Sequence, residues 1–194
     1  MSKLPLVDQQ HLNAEQKDLW DNILKGPRGA SLSGPIKYLP GPFNPWMQIP
    51  SFGKLAAEMG ERLRFHSVLP GKLRELAILT TGVHWKAEFE FWAHARVARA
   101  EGLPDSIIDA LRAGTAVPYE DDLQRLVHTA ANDLVATGRP RVHLAEQLAD
   151  AMGWPAVVEL VALVGFYCMV SFTLNAFDVE LPEGVAPIWN RQVS

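Results

Sequence analysis

The chain has 194 residues, 48% hydrophobic and 21% charged, a balance that fits a folded domain and not a disordered one. Its net charge is −4 and no Lys/Arg block of five or more occurs, so the basic footprint of a nucleic-acid binder is absent. A single cysteine, Cys168, excludes an intrachain disulfide framework, a CxxC redox pair and a multi-thiolate zinc site.

Met1-Ser2-Lys3-Leu4-Pro5 leads into no apolar run, so there is no signal peptide to read and a cytoplasmic location is expected. Asn13, with Gln16 three residues on, opens a first helix that carries Leu19, Trp20, Ile23 and Leu24. Gly26-Pro27 stops it. Residues 26–50 are too rich in Pro and Gly for a regular element, yet they hold Tyr38, Phe43, Trp46, Met47 and Ile49. An ordered loop wrapped over the domain is expected there.

From Ser51, a plausible N-cap, the pattern is helical throughout. Helices are expected over about Ser51–His66, Pro70–Thr81 with a soft break at Gly82, and Lys86–Ala100 with Gly102 as its cap. Three more follow, from Pro104 to Gly114, from Pro118 to near Gly138, and from Val142 to Met152. Asp121 and Asp122 suit the positive end of the second of these. The last helix covers about Pro155–Phe177, and an irregular tail begins near Glu180. No strand period is found, so the fold class is all-α, a bundle of about eight helices. The organisation expected is residues 1–50 as N-terminal helix and wrapping loop, 51–180 as the helical domain, and 181–194 as tail.

Leu160–Phe177 is 18 residues without a charge, long enough for a membrane span. Ser171, Thr173 and Asn175 interrupt it, and its flanks are Glu159 and Asp178 where Lys/Arg anchors belong. A central core helix is the expectation, with no membrane partner.

Chemistry concentrates in PGKLRELAIL (70–79) and AEFEFWAH (87–94). Glu90 and His94, four apart, stack on one helix face. Ala87 and Ala98 share that face and let a neighbouring helix approach closely. Glu75 sits among Leu73, Leu76, Ala77, Ile78 and Leu79, so its carboxylate needs a cation or donor, which His94 can supply. The bland reading of such a pair is an ordinary hydrogen bond. Glu90 and His94 with His84 or Glu75 could also be read as a ligand set, but no HExxH or Cys/His cluster supports a metal. His11, His66, His128 and His143 are expected to be solvated, and Cys168 to be a small buried hydrophobe. No GxSxG is present.

These residues resemble the carboxymuconolactone decarboxylase family, the all-α group that also contains alkyl hydroperoxidase D. The resemblance spans about 50–180: the LRELAIL helix, the EFEFWAHARVARAEGL helix and the late GFYCMVSFTLNAF helix, with GPFNPW (41–46) similar to a segment of longer members. Peroxidase members place a Glu 19 residues before a His, with CxxC between. Glu75 and His94 keep that separation, while Ala87 and Glu90 stand at the cysteine positions. Peroxide-reducing thiols are therefore missing. A Glu four residues before the His resembles the decarboxylase branch. The resemblance implies an alkyl hydroperoxidase D-like bundle that forms homo-oligomers, from dimer to hexamer, with trimers of dimers favoured and the site near a subunit interface.

The function this implies is a cofactor-independent, metal-free lyase or isomerase acting on a small carboxylated lactone or ring acid. His94 would be the general acid, Glu75 its orienting partner, and Glu90 a second acid/base or a hold on a substrate hydroxyl. Arg74, His84, Tyr38 and Trp46 are the candidate substrate-binding residues. Arg74, about 100° from Glu75 around the helix, could instead pair across an interface. Two other classes compete: a helical oligomer that binds an aromatic or lactone ligand without turnover, and a redox role for Cys168 alone, which needs an exposed low-pKa thiol.

Overall fold

The helix signals become nine α-helices and one 3₁₀ turn (Gln9–His11) in a computed structural model that describes residues 4–29, 32 and 36–189; no strand occurs among them. The readings of residues 1–3 at the N-terminus, of 30, 31 and 33–35 in the aromatic loop and of 190–194 in the tail lie outside the described residues. The helices are α1 (Ala14–Lys25), α2 (Phe43–Trp46), α3 (Pro50–Phe65), α4 (Gly71–His84), α5 (Glu88–Ala100), α6 (Asp105–Ala113), α7 (Asp122–Thr137), α8 (Val142–Met152) and α9 (Trp154–Ala176).

Several boundaries differ from the sequence reading, each for a local reason. The extra helix α2 is a single turn inside the aromatic segment, where Trp46 N–H bonds back to the Pro42 carbonyl. In α3 it is Pro50, not Ser51, that begins the helix; proline's fixed φ and missing N–H suit that place. Gly82 does not break α4, which runs on to His84. A side chain at Gly82 would crowd Glu90, its Cβ coming within 3.3 Å of Oε1, so the glycine lets α5 approach. The turn after α4 instead holds Lys86 at φ 52°, a left-handed conformation that costs a non-glycine residue energy. Asp121, not Pro118, caps α7 by accepting from Gln124 N–H.

The chain divides into two compact units. In the first, residues 1–67 and 173–179, α1 and α2 pack on α3 around Leu19, Trp20, Ile23, Leu39, Met47 and Ala57. The capping box at Asn13 and Gln16 forms as read.

In the second unit, residues 68–172 and 180–194, α4 is the central element and contacts α5, α6 and α7. It is buried on nearly every side from Leu73 to Gly82, as befits a helix surrounded by others. Leu76 and Leu79 meet Phe91, Ala95, Ala98, Leu103, Ile107, Ile108 and Leu111 in one core. The tail is non-helical over residues 181–189 and is tethered: Glu88 accepts from Ile188 N–H (2.9 Å) and Trp189 N–H (3.0 Å), and the Trp189 ring packs on Phe91.

The long apolar helix α9 is only half a core helix. Leu160, Leu163, Val164, Tyr167 and Ser171 are buried, while Trp154, Val158, Val161 and Phe172 are exposed.

Candidate active site

Two turns of α5 face two turns of α9 within the second unit. Ser171 Oγ donates to Glu90 Oε2 (3.0 Å), and one turn on, the Tyr167 ring stands edge-on against the His94 ring at 4.9 Å. Residue numbers rise on one helix as they fall on the other, so α5 and α9 run antiparallel here. Ala87 and Ala98 on α5 are both fully buried, Ala98 in the core with Leu76 and Ile107.

The third element is α4. Glu75 Oε2 lies 2.7 Å from His94 Nδ1, and Glu75 Oε1 accepts from Arg74 Nε at 3.1 Å. Arg74 also donates through a terminal nitrogen to Glu101 (3.0 Å). Polar contacts therefore run along a chain Glu101, Arg74, Glu75, His94, with the Arg74 guanidinium between two carboxyl groups. An ionised carboxylate with 0% exposure, as Glu75 has, needs such cationic neighbours. Glu101 also closes on the start of α4, where a side chain on Gly71 would collide with it.

Arg74 thus folds back along its own helix onto Glu75. Its long side chain overrides the angular offset that separates adjacent residues.

Glu90 is in a different state from Glu75. Its carboxyl is buried, and among the described residues its only hydrogen bond is the one from Ser171, Oε1 having none. Burial pushes its pKa well above the ordinary carboxylate value, with the Ser171 bond pulling weakly the other way. One buried carboxyl is matched to cations while the other is held toward its neutral form.

The sign of Glu90's effect on stability is fixed by that shift. Below about pH 4.5, its ordinary value, the carboxyl is neutral in both folded and unfolded chains. Above it the unfolded chain ionises while the folded one resists, so stability falls as pH rises toward the raised folded value. Glu90→Gln is expected to melt with wild type at pH 4 and above it at pH 7.5. Equal melting temperatures at both pH values would mean that Glu90 carries no buried-acid penalty.

The remaining sequence candidates are placed as follows. His84 is exposed, stacks edge-on against Trp85 at 4.8 Å and lines a cavity of about 400 Å³ with Thr80, Lys86, Thr115, His128 and Asn132. Glu75, Glu90 and His94 do not line that cavity. Tyr38 and Trp46 belong to the first unit. There Tyr38 lies under the Lys37 ammonium (5.1 Å), and Trp46 is a core side chain between Phe43 and Phe52.

His11, His66 and His143 are solvated as read, but His128 is not. Partly buried and 2.6 Å from the Tyr119 hydroxyl, it has its pKa pushed down to about 4 by desolvation, so it is neutral at pH 7. Cys168 is half-buried and not a silent hydrophobe. The Trp85 indole N–H donates to its sulfur (3.3 Å), and burial still pushes the thiol pKa up.

Tyr167 and Ser171 are the site residues that sequence reasoning passed over. Their signal was a hydroxyl repeated at i, i+4 within an otherwise apolar helix. Comparison of the chain with protein-family models and with curated proteins returns no match.

Proposed function

We propose that this chain is a carboxymuconolactone decarboxylase-like protein of the branch without CxxC, a cofactor-independent lyase or isomerase for a small carboxylated lactone or ring acid. The observation that carries the reading is the buried Glu75–His94 pair at 2.7 Å, joining residues 19 apart on successive helices. That is the separation the resemblance attaches to the family's proton-handling pair. The same resemblance supplies the alkyl hydroperoxidase D-like bundle and the homo-oligomer as parts of the proposal.

In a decarboxylation the bond between the ring carbon and the carboxylate carbon breaks and CO₂ leaves. The electron pair passes into the conjugated lactone carbonyl, and the ring carbon then takes a proton. His94 is suited to deliver it, because imidazole exchanges protons near neutral pH. With Nδ1 engaged by Glu75, the exchange runs through Nε2. Glu75 fixes the ring, and Arg74 in turn holds Glu75. Glu90, held toward its protonated form, is the second acid, able to donate to a substrate hydroxyl or carbonyl. Isomerisation would use His94 in its neutral form to take a proton from one ring carbon and return it to another.

The test is to incubate the protein with a set of carboxylated lactones in D₂O. CO₂ release with one deuterium placed on the product carbon is the expected result. No CO₂ and no isomerised product from any of them would reject the lyase.

The cavity lined by His84, Lys86 and His128 favours a second reading, ligand binding without turnover. It predicts calorimetric binding of the same lactones that His128→Ala abolishes and His94→Ala leaves intact, with no product formed. A thiol-redox role has less support, since the Cys168 thiol is pushed toward its protonated, unreactive form.

A further inference from the structure

The cavity of about 400 Å³ beside the end of α4 has a graded wall. Its deeper part is apolar, with Leu111 buried and Val83 and Val117 half-buried. Its mouth is polar, formed by His84, Lys86, Thr115 and Asn132, all exposed. Among the described residues no carboxylate lines it, although acidic side chains outnumber basic ones in the chain by 22 to 18. An apolar interior with a cationic mouth and no acid suits an anion that carries an apolar body.

Lys86 and His128 are the donors the cavity has to offer. The Lys86 ammonium packs on the Trp189 ring at 4.9 Å, a contact with the π-face that leaves N–H groups to donate. Among the described residues it has no carboxylate partner. Lys86 is also the one described non-glycine residue of the second unit with a left-handed backbone, at φ 52°. Glycine would hold that turn without cost, so the fold carries a lysine to the mouth against a backbone preference. His128 is neutral, and Tyr119, which takes its Nδ1, does not line the cavity. Accepting the phenol proton at Nδ1 leaves the ring's own proton on Nε2, where it is a donor. The C-terminal end of α4 would oppose an anion, but its last carbonyls are spent. Thr81, Gly82 and Val83 accept from Trp85, Ala87 and Lys86 N–H, and the full charge of Lys86 outweighs the partial charge that remains.

We propose that this cavity is a binding site for a small monocarboxylate, its acid group held by Lys86 and His128 and its apolar body lying on Val83, Leu111 and Val117. The volume is at the small end for ligand pockets and admits a single ring or a short branched chain. Glu75, Glu90 and His94 lie outside it, so an acid held here is separate from one turned over there. The proposal rests on the binding reading of this cavity and names its ligand. It stands whether or not the Glu75–His94 pair performs chemistry.

Calorimetry with benzoate, benzamide and acetate separates the charge from the apolar body. Benzoate is expected to bind one per chain, with benzamide and acetate each weaker by about tenfold or more, as loss of a charged hydrogen bond or of a buried ring implies. Lys86→Gly should bring benzoate down to the affinity of benzamide and leave benzamide unchanged. Because glycine suits the left-handed turn, that variant should melt at or above wild type, so lost binding is not lost fold. Asn132→Asp, an isosteric change at an exposed position, puts a negative charge on the wall and should weaken benzoate but not benzamide. Equal affinity for benzoate and benzamide would overturn the carboxylate and leave the lactone-binding reading intact. Benzoate bound by both variants as tightly as by wild type would place the acid elsewhere and overturn the cavity as its site. No benzoate binding at millimolar concentration, or acetate bound as tightly as benzoate, would also overturn the proposal.

Discussion

Replacing His94 by alanine should lower turnover of a carboxylated lactone by about 10²–10⁴, the range that a positioned general acid contributes. The pH profile should lose the limb that His94 supplies, because no other imidazole occupies its place between Glu75 and Tyr167. Glu75→Gln should cost less. The amide still fills the space between Arg74 and His94 and can hold the ring, but it cannot stabilise the imidazolium as a carboxylate does. Steady-state rates of the three proteins on one substrate, across pH 5 to 9, check the ordering. Full activity in His94→Ala would leave the buried cluster standing and remove His94 from the chemistry. Retained activity in that variant with loss in Glu90→Gln would move the proton donor to Glu90.

The parts of this site that could be read from sequence are those set by one helix or by two successive ones. Glu90 and His94 share a face because they are four apart, and Glu75 had to find a donor because Leu73, Leu76, Ala77, Ile78 and Leu79 around it bury it. Both inferences use only helical geometry and the cost of burying charge. The Glu90–Ser171 bond joins residues 81 apart, and nothing local encodes such a partner. Arg74 shows a different limit. Periodicity gives the direction in which a side chain leaves the helix, but an arginine has enough reach to turn back onto its neighbour. His128 shows a third. Its seclusion depends on Tyr119 and on how α7 lies against α4, and a histidine on a mixed helix face looks solvated until that packing is known.

The helices themselves were legible because glycine, proline and capping residues mark their ends, and most boundaries moved by only a few residues. Gly82 misled because glycine has two uses. In sequence it looked like a break; in the fold it is the place where α4 must be thin enough for Glu90. The apolar length of α9 pointed to burial on all sides. Its hydrophobicity instead divides between a face turned to α5 and a face that the described residues leave exposed.

Glu75→Ala should be the most destabilising single change at the site. Truncation leaves the Arg74 guanidinium, itself largely buried, without its inner partner and takes the carboxylate from His94. Breaking a buried pair on one side costs about 3–5 kcal/mol, because the surviving charge stays desolvated. For a chain of this size that is a fall in Tm of about 6–20 °C. Arg74→Ala should cost less, since Glu101, the partner it abandons on the other side, is 41% exposed and can be solvated. Glu75→Gln should fall between wild type and Glu75→Ala, keeping the volume and losing the charge. Thermal melts at pH 7 rank the four proteins. If Glu75→Ala melted within a degree or two of wild type, the chain from Glu101 to His94 would contribute little to folding. Glu75 would then be held in place by the packing of α4 alone, and the case for a charge-tuned His94 would lose its structural support.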